Sequence, residues 1–153
     1  MKNPFRLPWM AIKARRPKRV SSIKAVCDGF WLSKKYDAMM FFGIIVTHTQ
    51  KDADTINSRD NSIKRHETIH LLQARSTHNS WLCFYILYIW YYVRALPLNR
   101  KYKNVAYRLN PFEIEAYEHM FDKGYVEKCK NGANGWRVYA KMKPTERLKL
   151  SKS

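Results

Sequence analysis

The chain has 153 residues, 46% of them apolar, enough for one hydrophobic core and too many for a disordered polymer. Its 29 Lys and Arg against 12 Asp and Glu leave a net charge of +17, so the partners to expect are anionic, either a nucleic acid or a membrane surface. Three well-separated cysteines, Cys27, Cys83 and Cys129, exclude a disulfide framework and a paired-cysteine metal site, and they suit a reducing, cytoplasmic setting.

Residues 1–24 form a basic arm with eight Lys or Arg and no acid. No apolar run in it is long enough for a secretory signal, and Pro4, Pro8 and Pro17 interrupt any long helix. Two readings stand: a solvated terminus, or an arm whose Phe5 and Trp9 dip into a lipid interface or rest on a nucleic acid. A single domain over residues 25–140 comes next, and then a basic tail, 141–153. Within Ile23 to His48, Phe30-Trp31-Leu32 and Met39 to Thr47 are rich in aromatic and β-branched residues and are expected as one or two strands. Gln50 to Asn61 is polar and reads as a turn-forming connection. Asp60, Asn61 or Ser62 can then cap a helix over about Ser62 to Arg75.

That helix carries His66-Glu67-Thr68-Ile69-His70, the pattern H-E-x-x-H. Residues four apart share a helix face, so both imidazoles can bind one cation from one side. Glu67 lies about 100° round, where it can reach a water on the metal without itself being a ligand. Gln73 falls on the histidine side, either supporting a ligand by a hydrogen bond or lying on a polar rim. The alternative is a polar helix whose two histidines and glutamate face solvent.

Trp81 to Val93 is uncharged over 13 residues, about 20 Å as a helix against a hydrocarbon core of about 30 Å. Being apolar all round, it is expected as a buried helix behind the motif helix. An interfacial segment is the alternative, since its Trp and Tyr residues suit a lipid boundary and Arg94, Arg100, Lys101 and Lys103 lie just beyond it. Leu98 to Leu109 reads as a basic loop. Asn110 as cap and Pro111 at the first helical position then start a further helix.

On that helix, stepping about 100° per residue places Glu113 in the middle of the apolar face formed by Phe112, Ala116, Met120, Tyr117, Phe121 and Ile114. Glu115, Glu118 and His119 fall on the opposite side. An inward carboxylate needs a cation, and a metal held by His66 and His70 would supply one. Glu113 can alternatively fold back on the backbone of Asn110 as in a capping box, and Glu115 remains the competing third ligand. Further on, Trp136 to Ala140 reads as a short strand or packed segment.

The H-E-x-x-H helix with a downstream Glu113-Ile114-Glu115-Ala116-Tyr117 resembles the gluzincin branch of the zinc metallopeptidases, and its E-x-x-A part resembles the signature of the prenyl-protein-type endopeptidases. The segment also resembles small H-E-x-x-H-x-x-Q proteins with F-E-x-E-A-Y. The match covers about Asn61 to Phe121, and its specific part is some ten residues. The resemblance implies an α+β fold: a mainly helical, zincin-like core with a small N-terminal antiparallel sheet packed on the motif helix. It also implies zinc as cofactor, His66, His70 and Glu113 as ligands, Glu67 as general base, and a peptide or protein substrate paired along the strand Met39 to Thr47. Tyr117 stands where those endopeptidases carry an aspartate that steadies a ligand histidine. The competing functional class is a non-catalytic basic protein binding an anionic membrane surface or nucleic acid, its histidines structural or degenerate. A cytoplasmic protein, peripheral at the membrane through its arm and Trp81 to Val93, fits either class.

Overall fold

The computed structural model describes residues 20, 23–28 and 37–150, so the strand expected at Phe30-Trp31-Leu32 and most of the basic arm lie outside the described residues. The fold is α+β. A three-stranded sheet comes first, and helices dominate the remainder of the chain.

Strands β1 (Lys24–Cys27), β2 (Ala38–Phe41) and β3 (Ile44–Thr47) pair in the order β1-β3-β2. The sheet is mixed rather than antiparallel: β2 and β3 are antiparallel, while β1 and β3 run parallel. Met39 to Thr47 is not one strand but a hairpin. Its two-residue turn, Phe42-Gly43, has φ of 49° and 87°, the left-handed pair that matches strand twist. All four residues of β3 are buried, which explains its central place between the other two strands.

Gln50 to Asn61, expected as a turn, contains helix α1 (Gln50–Ser58) capped by Thr49. Its polar composition hides two inward positions, Ala53 and Ile56, which suffice to dock it on the sheet. Asn57 of α1 also closes the outer edge of β1, accepting from the Ala25 N–H at 2.9 Å and donating to the Ala25 carbonyl at 3.0 Å. Among the described residues, the edge left at the other side of the sheet is β2.

Helix α2 (Ser62–Ser76) is the centre of the molecule, with ten consecutive buried residues from Arg65 to Ala74. Asn61 caps it, its side chain accepting from the Lys64 N–H at 2.8 Å. Helix α3 (Trp81–Ala95) packs Trp81 and Phe84 into the core beside Ile69, Leu72 and Phe112, but it is not the all-round buried helix expected. Leu82, Ile86, Ile89, Trp90 and Val93 are exposed along its length.

The supposed loop after it holds a 3-10 turn, Leu96–Arg100, and the short helix α4 (Val105–Arg108). Helix α5 (Pro111–His119) starts on Asn110 and Pro111 as the sequence indicates. Short helices α6 (Tyr125–Lys128) and α7 (Trp136–Ala140) come after it, the latter in place of the strand alternative. Residues 141–150 are more than a tail: helix α8 (Pro144–Leu150) buries Arg147, whose guanidinium lies 5.9 Å from the ring centre of Tyr91 on α3.

Candidate metal centre

Helix α2 brings His66 and His70 to one face, with ring centres 4.9 Å apart, and α5 lays Glu113 across them. Glu113 Oε2 is 3.2 Å from His66 Nε2, and Glu113 Oε1 is 3.3 Å from His70 Nε2. All three side chains are buried. Glu113 is therefore not a capping-box residue. The cap is satisfied by Asn110 alone, which accepts from the Phe112 N–H and donates to the Tyr88 carbonyl.

The donor atoms of His66, His70 and Glu113 lie within 4.8 Å of one another and could hold a metal ion. Their contacts test that fit. Gln73 Nε2 donates to the Phe112 carbonyl at 2.9 Å and to Glu115 Oε2 at 2.7 Å, so its Oε1 is the end left to face His70 Nδ1 at 2.8 Å. Nδ1 must then carry a proton, and Nε2 turns its free electron pair towards Glu113. Two electron-rich atoms at that distance need a cation between them. Glu113 Oε2 has no hydrogen-bond partner among the described residues despite its burial. Separations of about 3.3 Å are also those of two ligands on a tetrahedral ion with bonds of about 2.0–2.1 Å.

Without an ion, a proton on His70 stands in for it. Burial alone would lower the His70 imidazole, but the Glu113 charge and hydrogen bond, with Glu67 and Gln73, raise it to about 9. Glu113, which burial would raise, is held below the usual carboxylate range by His70 and His66.

Glu67 belongs to a different environment. It lines the site without joining the ligand group, its Oε2 has no hydrogen-bond partner among the described residues, and the Met40 backbone N–H bonds its carboxylate. Burial pushes its carboxyl up, against the lowering effect of His70 and His66.

Glu115 departs most from the helical-face expectation. It is fully buried, accepting from Gln73 Nε2, from Tyr125 Oη at 2.6 Å and from the Gly135 N–H at 2.6 Å. The side of α5 opposite its apolar face is covered at Glu115 by α7 and the turn before it. Glu115, Gln73 and His70 thus form a chain that fixes the His70 imidazole. Gln73 is a support inside the core and not a rim residue.

Tyr117 does reach His66, but through its ring, 4.6 Å between centres and steeply inclined to the imidazole, rather than by a hydrogen bond to it. His66 Nδ1 has no hydrogen-bond partner among the described residues.

Two cavities meet here. The larger, about 410 Å³, is walled mainly by α3 aromatics and reaches Glu67, His70 and Glu113. The smaller, about 170 Å³, reaches His66 and Glu67 past Tyr117. Ala38, Glu67 and Tyr107 line both. Tyr107 is a residue that sequence reasoning did not single out. It hydrogen-bonds Tyr117 and Glu113, and burial, with the Glu113 charge, raises its phenol, so it stays a donor.

The edge strand at the site is β2. Met40 gives its backbone N–H to Glu67, and its carbonyl accepts from Tyr85 Oη at 2.9 Å, leaving Ala38 as the outward strand position at the meeting of the cavities. No protein-family model, curated protein or solved structure matches the chain.

Proposed function

We propose that the chain is a small zinc-dependent peptidase of the gluzincin kind with a zincin-like core. The observation that carries this reading is the division of labour among four buried groups. His66, His70 and Glu113 converge on one point, while Glu67, on the same helix, ends beside it with a raised pKa and an unengaged oxygen. Two histidines and a carboxylate also suit iron(II). The adjacent carboxyl poised to accept a proton is what hydrolysis needs and favours zinc.

When bound by His66, His70 and Glu113, zinc supplies the Lewis acidity that polarises a carbonyl and acidifies water. The chain's own groups do the rest. Glu67 takes the proton of the attacking water as the new C–O bond forms. It delivers that proton to the amine nitrogen as the C–N bond breaks. Tyr107, between the two cavities, is the phenol placed to turn its hydroxyl from Glu113 to the carbonyl oxygen as charge develops on it. An extended peptide would pass Ala38 on the β2 edge, with an apolar side chain in the larger cavity.

Metal analysis of the purified chain tests this. One zinc per chain, lost in His66→Ala and in Glu113→Ala, together with chelator-sensitive cleavage of a denatured protein substrate, is the expected result. Iron in place of zinc, or zinc retained by both variants, overturns it. Tyr107→Phe should keep the metal and lower kcat by about 10²-fold with little change in KM. An unchanged kcat would remove Tyr107 from the reaction.

A further inference from the structure

Among the described residues, the outer face of α3 has no partner. Taking Leu82 as origin and about 100° per residue, Val93, Ile86 and Trp90 fall at about 20°, 40° and 80°, and Ile89 at about 340°. They form one stripe about 100° wide, and these five side chains are 50–67% exposed. Such a continuous large-residue stripe marks a docking surface rather than scattered surface apolarity.

Charge identifies what it docks on. From Trp81 to Phe112 the sequence has no acid and five cations: Arg94, Arg100, Lys101, Lys103 and Arg108. All five are exposed, and Arg94 folds over the Trp90 ring at 5.7 Å. Aromatic and aliphatic side chains bordered by cations are the composition of a helix lying in an anionic lipid interface. The helix lies along the surface rather than across it. The stripe from Leu82 to Val93 is about 16 Å long against a hydrocarbon core of about 30 Å. The 20-residue apolar stretch Trp81–Arg100 gains its length only through the 3-10 turn at Pro97, and Trp81 and Phe84 tie the opposite face to the protein core.

We propose that α3 seats the protein on an anionic bilayer and sets the mouth of the larger cavity at the lipid surface. The cavity wall uses the neighbouring flank of the same helix, Phe84, Tyr85, Tyr88 and Tyr92, and Ile89 belongs to both cavity and stripe. Segments entering the cavity are therefore those presented at the bilayer surface, such as amphipathic or lipid-anchored peptides. That last step rests on the peptidase reading, whereas the docking does not.

The test is flotation of the full chain with vesicles of phosphatidylcholine containing phosphatidylglycerol, with acyl chains brominated to quench tryptophan at depth. Expected are salt-sensitive binding and quenching that Trp90→Phe largely removes. Ile89→Trp in the Trp90→Phe background should restore it, placing the cavity mouth in the lipid. Ile86→Ser with Trp90→Ser should weaken binding about tenfold or more without changing thermal unfolding, since both side chains are exposed. Glu67→Gln should bind like the wild type, so loss of hydrolysis and loss of docking are separate results. Absence of binding, full affinity in the Ile86→Ser/Trp90→Ser protein, or quenching that survives Trp90→Phe would each overturn the proposal, the last two assigning the binding to the N-terminal arm. A dimer that forms without vesicles and is dissolved by the same pair of substitutions would overturn it too, making a second copy the occupant.

Discussion

Glu67→Gln is expected to keep one zinc per chain and to lower peptide hydrolysis by about 10²- to 10⁴-fold, the range set by loss of a positioned general base. The amide is nearly isosteric and can still accept from the Met40 N–H, so the helix and the ligand set stay in place. What it cannot do is hold a proton taken from water. Burial already raises the carboxyl, against the pull of His70 and His66, so the native group is adjusted for accepting one. Zinc content by mass spectrometry and kcat/KM on one peptide substrate check the two halves separately. Undiminished cleavage with zinc bound would remove Glu67 from the reaction, and loss of zinc would mean that it helps hold the ion.

Much of this centre was legible in the sequence because its geometry is local. The spacing of His66 and His70 fixes their common face whatever the helix packs against, and Asn110-Pro111 fixes the phase of α5, which turned Glu113 inward. The errors come where long-range packing decides. Glu115 sits on a face that α7 covers, and nothing within α5 records that a segment some twenty residues later will lie there. Gln50 to Ser58 shows how little apolar content a docked helix needs when Asn57 can substitute for a neighbouring strand. The mixed sheet has the same origin. A two-residue turn dictates the antiparallel β2-β3 pair, but the side on which β1 joins, and its direction, are set by tertiary docking. For α3, uniform apolarity could not distinguish a core face from a surface face, and only its packing on α2 leaves the stripe outside.

Glu115→Gln is the most informative change away from the ligands. Glu115 Oε1 accepts from the Gly135 N–H and Tyr125 Oη, and Oε2 accepts from Gln73. A glutamine that keeps its oxygen on the two Oε1 donors must point its NH2 group at the NH2 group of Gln73. Gln73 can relieve that clash of donors by turning over, at the expense of its bond to the Phe112 carbonyl. His70 Nδ1 would then accept instead of donate, moving the imidazole proton to Nε2, where it blocks the ligand position. The expected result is zinc affinity about 10- to 100-fold weaker in a protein that still folds. Glu115→Ala goes further, leaving three donors without their acceptor in the core. It should cost about 3–5 kcal/mol, lowering Tm by about 10 °C for a domain of this size. Gly135→Ala probes the same oxygen from the other side, because an added Cβ would sit 2.6 Å from Glu115 Oε1. It should reproduce the loss of affinity without replacing any side chain in the chain of contacts. Zinc titration by calorimetry beside thermal unfolding separates the effects. A Glu115→Gln protein with lowered Tm and unaltered zinc affinity would make Glu115 a packing residue, with no hold on His70.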